Sequence, residues 1–334
     1  MDEMEGNRRA PVLYLVLPCY NEEQVLPLTI PVVKRTLAAM IADGTIGAAS
    51  RAVFVDDGSR DRTWELIAAA RAEDALVGGI RLSRNCGHQN ALLAGMMTVK
   101  EVADAVVTMD ADLQDDIEAI RAMVAHYREG CDVVYGVRGS RQTDSAFKRE
   151  TAQLYYRFLA WLGADIVYNH ADFRLLSRTA LAALSEFTEV NLFLRGLVPM
   201  LGYRHATVSY DRKERAAGET KYPLKKMLLF AWEGITSLST RPLRCITLLG
   251  MLVLFVSILM MLWSVWRYYE GETIVGWTSV IVSIWFLGGI VTSAIGIVGE
   301  YIGKVYLESK RRPRYLIADV RIAKVATKGG HARA

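Results

Sequence analysis

The sequence predicts an α/β domain with a mostly parallel sheet, followed by an amphipathic helix and two membrane-spanning helices. Two observations lead to this expectation. Short β-rich runs alternate with helix-length stretches through residues 12–137, and two long uncharged stretches lie in the last third of the chain. The chain has 334 residues, and 52% of them are hydrophobic, which is high for a protein that lies entirely in water.

The α/β domain is expected over residues 11–221, after a mobile N-terminus at residues 1–10. Its predicted strands are Val12–Leu17, Ala52–Val55, Gly79–Leu82, Ala105–Met109 and Asp132–Val137. The predicted helices between them include Glu22–Ile41, Arg62–Ala72, Asn90–Val99 and Ile117–Glu129. This alternation favours a parallel sheet covered by helices on both faces. Residues 145–211 have a more helical pattern with less clear punctuation.

A polar loop follows each predicted strand. In chain order these loops are PCYNEE, DDGSRDRT, SRNCGHQN, DADLQDD and GVRGSR. In open α/β sheets, ligands bind at the carboxyl ends of the strands. The five loops are therefore predicted to line one cleft.

The loop after the fourth strand contains four carboxylates within seven residues, in the sequence VVTMDADLQDD. Like charges at this spacing repel one another, so a positive partner is expected. Asp110 and Asp112 leave the same face if the strand continues, and Gln114 adds a neutral oxygen on that face. Such oxygen ligands suit Mg²⁺ or Mn²⁺, which can bridge the phosphates of a nucleotide. Asp115 and Asp116 are better explained by the start of the helix near Ile117.

A second acidic pair, Asp56 and Asp57, ends the second predicted strand. An Asp-Gly turn alone explains it, but its likeness to the fourth strand favours contact with a nucleobase, a ribose or a metal. His88 is a lone histidine in the third loop and is interpreted as an ordinary hydrogen-bonding residue.

Two uncharged stretches, Ile246–Trp266 and Ile274–Val298, each exceed the roughly 20 residues needed to cross a bilayer. They predict a transmembrane hairpin over residues 245–300, with a basic tail at residues 301–334. The short turn between them carries one Arg and two Glu, whereas both flanks are rich in Lys and Arg. By the positive-inside rule, the domain and both termini are expected on the cytoplasmic side of the inner membrane.

Residues 222–244 are predicted to form an amphipathic helix, which lies either on the membrane surface or against the domain. The basic residues gather near the membrane segments, which favours membrane lipids over nucleic acid as partners. Gly299 and Gly303 form a GxxxG pattern. That pattern predicts close helix packing, either within the hairpin or between copies in a homo-oligomer.

The blocks LPCYNEEQVLP, VFVDDGSRDRT, LSRNCGHQNALLAGM and VTMDADLQDD, in this order, resemble the inverting family 2 glycosyltransferases with the GT-A fold. DFRLLSR, KERAAGETKY and the two apolar stretches narrow the resemblance to polyprenyl-phosphate glycosyltransferases, which include bactoprenol glucosyltransferases and dolichol-phosphate mannose synthases. The resemblance implies a metal-dependent hexosyltransferase for cell-envelope or O-antigen glycosylation. It would move one sugar from a nucleotide sugar to undecaprenyl or another polyprenyl phosphate. UDP-glucose is the favoured donor; GDP-mannose and other UDP-sugars, including uronic acids and modified aminosugars, are alternatives.

The resemblance also implies roles for individual residues. Nucleotide-sugar binding is implied for Pro18, Tyr20, Asn21, Glu22, Asp57, Arg212, Arg215 and Lys221, the last three on a mobile loop. The metal would be held by Asp110, Asp112 and Gln114, and the lipid phosphate by Arg138, Lys148 and Arg149. Asp172 matches the catalytic base of the family. A phosphate monoester has a second pKa of about 6 and needs little deprotonation, so Asp172 is alternatively expected to orient the sugar or the acceptor.

Two other functions are weighed against this one. A processive polysaccharide synthase usually carries a Gln-x-x-Arg-Trp motif and more membrane helices, and the sequence has neither. A membrane-anchored nucleotide-binding scaffold is expected to lose a metal-binding carboxylate, yet Asp110 and Asp112 are both present.

Overall fold

The computed structural model describes residues 9–139, 170–190, 192–211, 241–270 and 276–323. The chain divides into two compact units. One comprises Met1–Thr151, Ile166–Tyr222 and Pro313–Ala334 and contains the sheet. The other comprises Ala152–Asp165 and Pro223–Arg312 and contains two long helices.

The first unit is built on an eight-stranded sheet with the order β7-β5-β6-β4-β1-β2-β3-β8. The strands are β1 Leu13–Cys19, β2 Arg51–Asp56, β3 Val77–Leu82, β4 Ala105–Thr108, β5 Val133–Arg138, β6 His170–Ser177, β7 His205–Tyr210 and β8 Ile317–Arg321. The helices of this unit are α1 Leu26–Ala42, α2 Thr63–Glu73, α3 His88–Val99, α4 Ala119–Arg128, α5 Arg178–Ser185 and α6 Leu194–Met200.

Most strands of the sheet run in one direction. β1 pairs in parallel with β2 and β4, β2 with β3, and β5 with β7, whereas β6 and β8 are antiparallel to their neighbours. The prediction of a mostly parallel α/β sheet is confirmed, as are the five strands and four helices expected between residues 12 and 137. Helix α1 begins later than predicted because the Glu22 carbonyl closes a turn with the amides of Val25 and Leu26. Pro27 then takes a position in the first helical turn, where its missing N–H costs nothing.

The expectation of a more helical segment at residues 145–211 is met only in part, because its described residues form α5 and α6 but also two strands. These strands are β6 and β7 of the sheet, and β6 lies between β4 and β5. The tail adds β8 to the edge beside β3, where no strand was predicted. Most residues of β8 are exposed, so its sequence lacks the apolar run that identifies an inner strand.

The core consists of two apolar layers, one on each face of the sheet. β1 is buried along its whole length because it lies in the middle. Leu13, Leu15 and Leu17 point to one layer, and Tyr14 and Val16 point to the other. This is the pattern of a strand covered on both faces.

Gly95 sets the distance between α3 and the sheet. A Cβ atom at this position would lie 2.4 Å from Val16 Cγ1 and 2.9 Å from Val55 Cγ2. Only a glycine lets the helix pack this closely on β1 and β2. The close packing fixes the start of α3, with His88 and Gln89, near the carboxyl ends of these strands.

The second unit contains α7, Arg241–Tyr269, and α8, Trp277–Ser309. Within the described residues, one segment, Phe286–Ser309, is long and apolar enough to cross a membrane. The expectation of two spanning helices is therefore not confirmed. The predicted span Ile246–Trp266 lies within α7, and the second begins at Ile274, outside the described residues. The expected amphipathic helix, up to residue 240, also lies outside them, as do residues 1–8 of the N-terminus.

Candidate functional site

The loops that follow β1 and β2 are joined by hydrogen bonds. The Asn21 amide donates to Ser59 Oγ at 2.9 Å, and Asn21 Oδ1 accepts from the Arg60 amide at 3.0 Å. The Glu22 amide donates to Thr63 Oγ1 at 2.8 Å. Pro18 lies within β1, and Tyr20, just past the end of that strand, is exposed. The residues predicted to hold a nucleotide thus begin a fixed rim along the carboxyl edge of the sheet.

The Asp57 carboxylate links the loop after β2 to the loop after β3. Its Oδ1 accepts from the Cys86 amide at 2.7 Å, and its Oδ2 accepts from the Gly87 amide at 2.9 Å. The side chain is buried, and this burial raises the pKa of Asp57, although both backbone bonds oppose the rise. Asp57 therefore fixes the entry into α3, a structural role that the sequence pattern did not indicate.

Gly58 makes this approach of the two loops sterically feasible. Its φ is +66°, in the left-handed region, and a Cβ atom here would lie 2.5 Å from the Arg84 carbonyl carbon. A side chain would meet backbone, which cannot move aside as a flexible side chain can. The requirement for glycine is thus both conformational and steric.

The acidic loop after β4 does not continue the strand. β4 ends at Thr108, Leu113 has a φ of 56°, and the Gln114 amide donates to Asp112 Oδ1 at 3.1 Å. The alternation that would place Asp110, Asp112 and Gln114 on one strand face is therefore broken by a turn. Asp110 is 39% exposed, and Asp112 and Gln114 are half-buried, so this segment reaches the cleft as a turn.

Asp115 was expected in the first turn of the next helix, and that expectation is wrong. Helix α4 begins at Ala119, whose amide donates to the Asp116 carbonyl. Asp115 is instead buried, and its Oδ1 accepts from Tyr210 Oη at 2.5 Å. Asp115 ties the acidic loop to the end of β7, while Asp116 lies in the turn before α4.

Asp172 is brought to this loop by the reversed direction of β6. Thr108, the last residue of β4, pairs with Arg174, and its Oγ1 donates to the Asp172 carbonyl at 2.5 Å. The Asp172 side chain is 7% exposed. Its Oδ1 accepts from Arg174 Nη2 at 2.5 Å, and its Oδ2 accepts from Arg195 Nη2 at 3.0 Å.

His88 lies between the two acidic groups. Its Nε2 is 3.4 Å from Asp172 Oδ2 and 3.6 Å from Asp110 Oδ1. The interpretation of His88 as a hydrogen-bonding residue is confirmed, since it bonds to Asp172. Its expected place in a loop is wrong, because α3 begins at His88. Gln89, the next residue, donates from Nε2 to Asp172 Oδ2 at 3.5 Å.

The carboxyl groups of Asp110 and Asp172 differ in their acidity. Burial acts to raise the pKa of Asp172, but the hydrogen bond from His88 and the charges of Arg174 and Arg195 hold it well below its usual range. Burial raises the pKa of Asp110 to about 6; His88 opposes this rise, and Asp115, Asp172 and Asp112 add to it. Asp172 is thus a stable anion and a weak proton acceptor, whereas Asp110 lies where negative charge is in excess.

The donor set after β4 fits a divalent cation that a substrate helps to bind. Among the described residues, no group of three or more His, Cys, Asp or Glu side chains is arranged to hold a metal ion. Asp110 and Asp112 offer two carboxylates, and Gln114 offers an amide oxygen. Mg²⁺ typically binds one or two carboxylates and completes its shell with water and substrate phosphates. A closed protein cage is not required for such an ion.

Several predicted residues meet at this edge of the sheet, and others lie outside the described part. Tyr20, Asn21, Glu22, Asp57, Asp110, Asp112, Gln114 and Asp172 all lie in loops or strand ends at the carboxyl edge. Lys148, Arg149, Arg212, Arg215 and Lys221 lie outside the described residues. Arg138 ends β5, but its side chain is not among those described.

Four residues of the site were missed: His88, Gln89, Arg174 and Arg195. His88 and Gln89 belong to SRNCGHQN, the polar stretch after the third predicted strand, and that position was enough to make them candidates for the site. No sequence pattern indicated that Arg174 and Arg195 belong to the site, because β6 was not predicted.

A separate cleft of about 440 Å³ lies at the edge of the same sheet. Its lining is Gly58, Ser59, Arg81, Leu82, Ser83, Ala318 and Asp319, contributed by the loop after β2, the end of β3 and strand β8. Neither Asp110 nor Asp172 lines it, so it is distinct from the acidic cluster.

Comparison with known proteins gives a consistent result. Residues 14–185 match the family described as Glycosyl transferase family 2. An uncharacterized glycosyltransferase, YkoT, of Bacillus subtilis (strain 168) is 51% identical over 92% of this chain and 91% of its own length. The bactoprenol glucosyl transferase of Shigella phage SfX is 39% identical over 91% of this chain and 97% of its own. A prophage bactoprenol glucosyl transferase homolog of Escherichia coli (strain K12) is 38% identical over 92% of this chain and 98% of its own length.

Proposed function

Since the chain belongs to glycosyl transferase family 2, we propose that it transfers a single sugar, with inversion, from a nucleotide sugar to a polyprenyl phosphate. The observation that carries the proposal is the similarity to a bactoprenol glucosyl transferase over 91% of this chain. A match over 91% of the chain also includes most of the apolar helices α7 and α8. Family membership and the mostly parallel sheet also support the GT-A fold.

The proposed donor is UDP-glucose, with GDP-mannose and other UDP-sugars, including uronic acids and modified aminosugars, as alternatives. Pro18, Tyr20, Asn21, Glu22 and Asp57 surround the base and ribose in this proposal. Each oxygen of Asp57 accepts one backbone bond and retains capacity for a second. Arg212, Arg215 and Lys221 would close over the diphosphate.

We assign Asp110, Asp112 and Gln114 as the residues that hold Mg²⁺ or Mn²⁺. When bound, the ion would neutralise the diphosphate as it leaves. Burial and the carboxylates of Asp115, Asp172 and Asp112 all raise the pKa of Asp110, and a positive ion would offset these effects, which supports a cation at this position.

The acceptor phosphate is assigned to Arg138, Lys148 and Arg149. A phosphate monoester is largely dianionic at neutral pH, so its oxygen can attack the anomeric carbon without a strong base. The lowered pKa of Asp172 and its two arginine partners agree with this view. Asp172 is proposed to orient charged groups rather than to remove a proton.

The proposed location is the cytoplasmic face of the inner membrane. The candidate span Phe286–Ser309 and the exposed apolar side chains along α7 and α8 support insertion into a bilayer. A two-helix hairpin, cytoplasmic termini and an interfacial helix at residues 222–244 are part of this proposal. Self-association through Gly299 and Gly303 is a further part of it.

The test is a donor screen with the full-length protein in detergent. The protein is incubated with undecaprenyl phosphate, Mg²⁺ or Mn²⁺ and a panel of nucleotide sugars, and the lipid product is identified by mass spectrometry. We expect a hexosyl lipid from UDP-glucose and a loss of at least about 100-fold in Asp112→Asn, because a metal ligand is removed. If the protein binds nucleoside diphosphate but transfers no sugar from any donor, the scaffold function replaces this proposal.

A further inference from the structure

We propose that Arg195 binds a phosphate oxygen of a substrate, and that Asp172, Arg174 and Gln89 position it for this contact. The inference rests on the proposed function, since it assumes phosphate-bearing substrates at the acidic loop. Neither motif nor pattern in the sequence pointed to this arginine.

The backbone before Arg195 is held from two sides. The Leu194 amide donates to Gln89 Oε1 at 3.1 Å, and the Leu194 carbonyl accepts from Arg174 Nη1 at 3.1 Å. Gln89 comes from α3 and Arg174 from β6, so the start of α6 is fixed to two separate elements of the domain. The Cα of Arg195 therefore has little freedom.

The Arg195 guanidinium is held as well. Its Nη2 donates to Asp172 Oδ2 at 3.0 Å, and its Nε donates to Asp172 Oδ1 at 3.3 Å. This two-point contact fixes the plane of the guanidinium. An arginine ordered in advance loses less conformational entropy when a ligand binds.

The two guanidinium groups that contact Asp172 differ in their exposure. Asp172 carries one negative charge and contacts two guanidinium groups, those of Arg174 and Arg195. Arg174 is buried, whereas the Arg195 side chain is 30% exposed. Of these two guanidinium groups, that of Arg195 can therefore be reached from solvent.

The position of this charge indicates its ligand. His88 contacts both Asp172 and Asp110, so Arg195 is connected to the acidic loop through two side chains. A cleft lined by carboxylates repels phosphates, and a fixed guanidinium offsets that repulsion with planar, paired donors. The phosphate belongs either to the donor diphosphate or to the lipid acceptor, and the chemistry of recognition is the same.

The experiment compares Arg195→Gln and Arg195→Lys with Arg178→Gln as a matched control. Arg178 makes an Arg–Asp pair with Asp104, also at 3.0 Å, but at the opposite end of β6. Three readouts are taken on the full-length protein in detergent: the Kd for UDP with Mg²⁺, the Kd for inorganic phosphate, and the KM for undecaprenyl phosphate. The melting temperature of each variant is recorded alongside.

We expect Arg195→Gln to raise at least one of these constants about tenfold or more, the loss typical of a charged hydrogen bond. Arg195→Lys keeps the charge without the planar fork and should lie between Arg195→Gln and wild type. Arg178→Gln should leave all three constants within about twofold. A rise in the Kd for UDP would show that Arg195 binds the donor diphosphate. A rise in the KM for undecaprenyl phosphate would show that it binds the acceptor phosphate.

The proposal is overturned if both Arg195 variants keep all three constants within about twofold of wild type. It is equally overturned if Arg178→Gln changes them as much as Arg195→Gln does, since the effect would then be structural. If Arg195→Gln does not fold, the proposal is judged on Arg195→Lys alone, and it is overturned if that variant keeps all three constants within about twofold of wild type. If wild type transfers no sugar, the proposed function fails, while the two Kd measurements still test Arg195.

Discussion

The two acidic pairs beside β1 share a sequence pattern but have different surroundings. Asp56 and Asp57 end β2, and Asp110 and Asp112 follow β4; these two strands flank β1. The first pair is buried, and its oxygens accept from the amides of Ser59, Cys86 and Gly87. The second pair is partly exposed.

The difference arises in the residues that follow each pair. Gly58 lets the loop after β2 pack against the backbone at Arg84, which encloses its carboxylates. The loop after β4 has no glycine there and turns at Leu113, and Asp110 remains partly exposed. The same acid pattern is thus buried and bonded to backbone amides where the loop folds back on its neighbour, and is partly exposed where it does not.

The largest expected effect, on sugar transfer, comes from replacing one acid of each pair, Asp110 or Asp57, with asparagine. Asp110→Asn should reduce transfer at least about 100-fold and leave the melting temperature unchanged or higher, because it removes a repelling charge. Asp57→Asn should cost about 1–3 kcal/mol of unfolding free energy, because an NH₂ group would face a backbone N–H. Transfer assays and thermal unfolding of both variants test the contrast. An Asp57→Asn variant with an unchanged unfolding free energy would contradict the structural role of Asp57, whatever its activity.

Gly58→Ala tests the cause of the difference. The new Cβ atom would meet the backbone at Arg84 and Asn85 in a left-handed conformation, and we expect a loss of about 2–4 kcal/mol in unfolding free energy. Gly44 offers a matched control, since its φ is also positive, at +74°, but nothing lies within 4 Å of its Cβ position. Gly44→Ala should cost only about 1 kcal/mol. Equal losses in the two variants, measured by thermal unfolding, would show that packing against the third loop is unimportant.

The smallest expected effect, a loss of stability, concerns the hydrogen bond that distinguishes Asp115 from the acidic residues beside it. Tyr210→Phe removes the donor to the buried Asp115 carboxylate and should cost about 1–2 kcal/mol. Tyr14→Phe is the control, because the buried Tyr14 hydroxyl has no hydrogen-bond partner among the described residues. That change should be neutral or slightly stabilising. If the two variants have the same unfolding free energy, Asp115 does not depend on Tyr210.

Local sequence pattern is enough to identify β1 to β5, the helices between them and the edge at which polar residues gather. These features depend on local periodicity and on runs of apolar residues, which a chain displays wherever it folds. Asp110, Asp112 and Asp57 could be singled out for the same reason, since each follows a recognisable strand.

The surroundings of these residues, in contrast, depend on contacts between segments that are distant in the chain. Asp172 lies near the beginning of β6, and it reaches Asp110 through His88 because β6 runs opposite to β4. Arg174 and Arg195 follow from the same placement, and β8 joins the sheet across a separation of more than 200 residues from β3. The burial of Asp57 and Asp115 depends on partners from other loops and strands. Pairing between distant segments leaves little trace in local sequence. The acidic loop and the polar stretch that contains His88 could therefore be found from the sequence, but the two arginines beside them could not be placed.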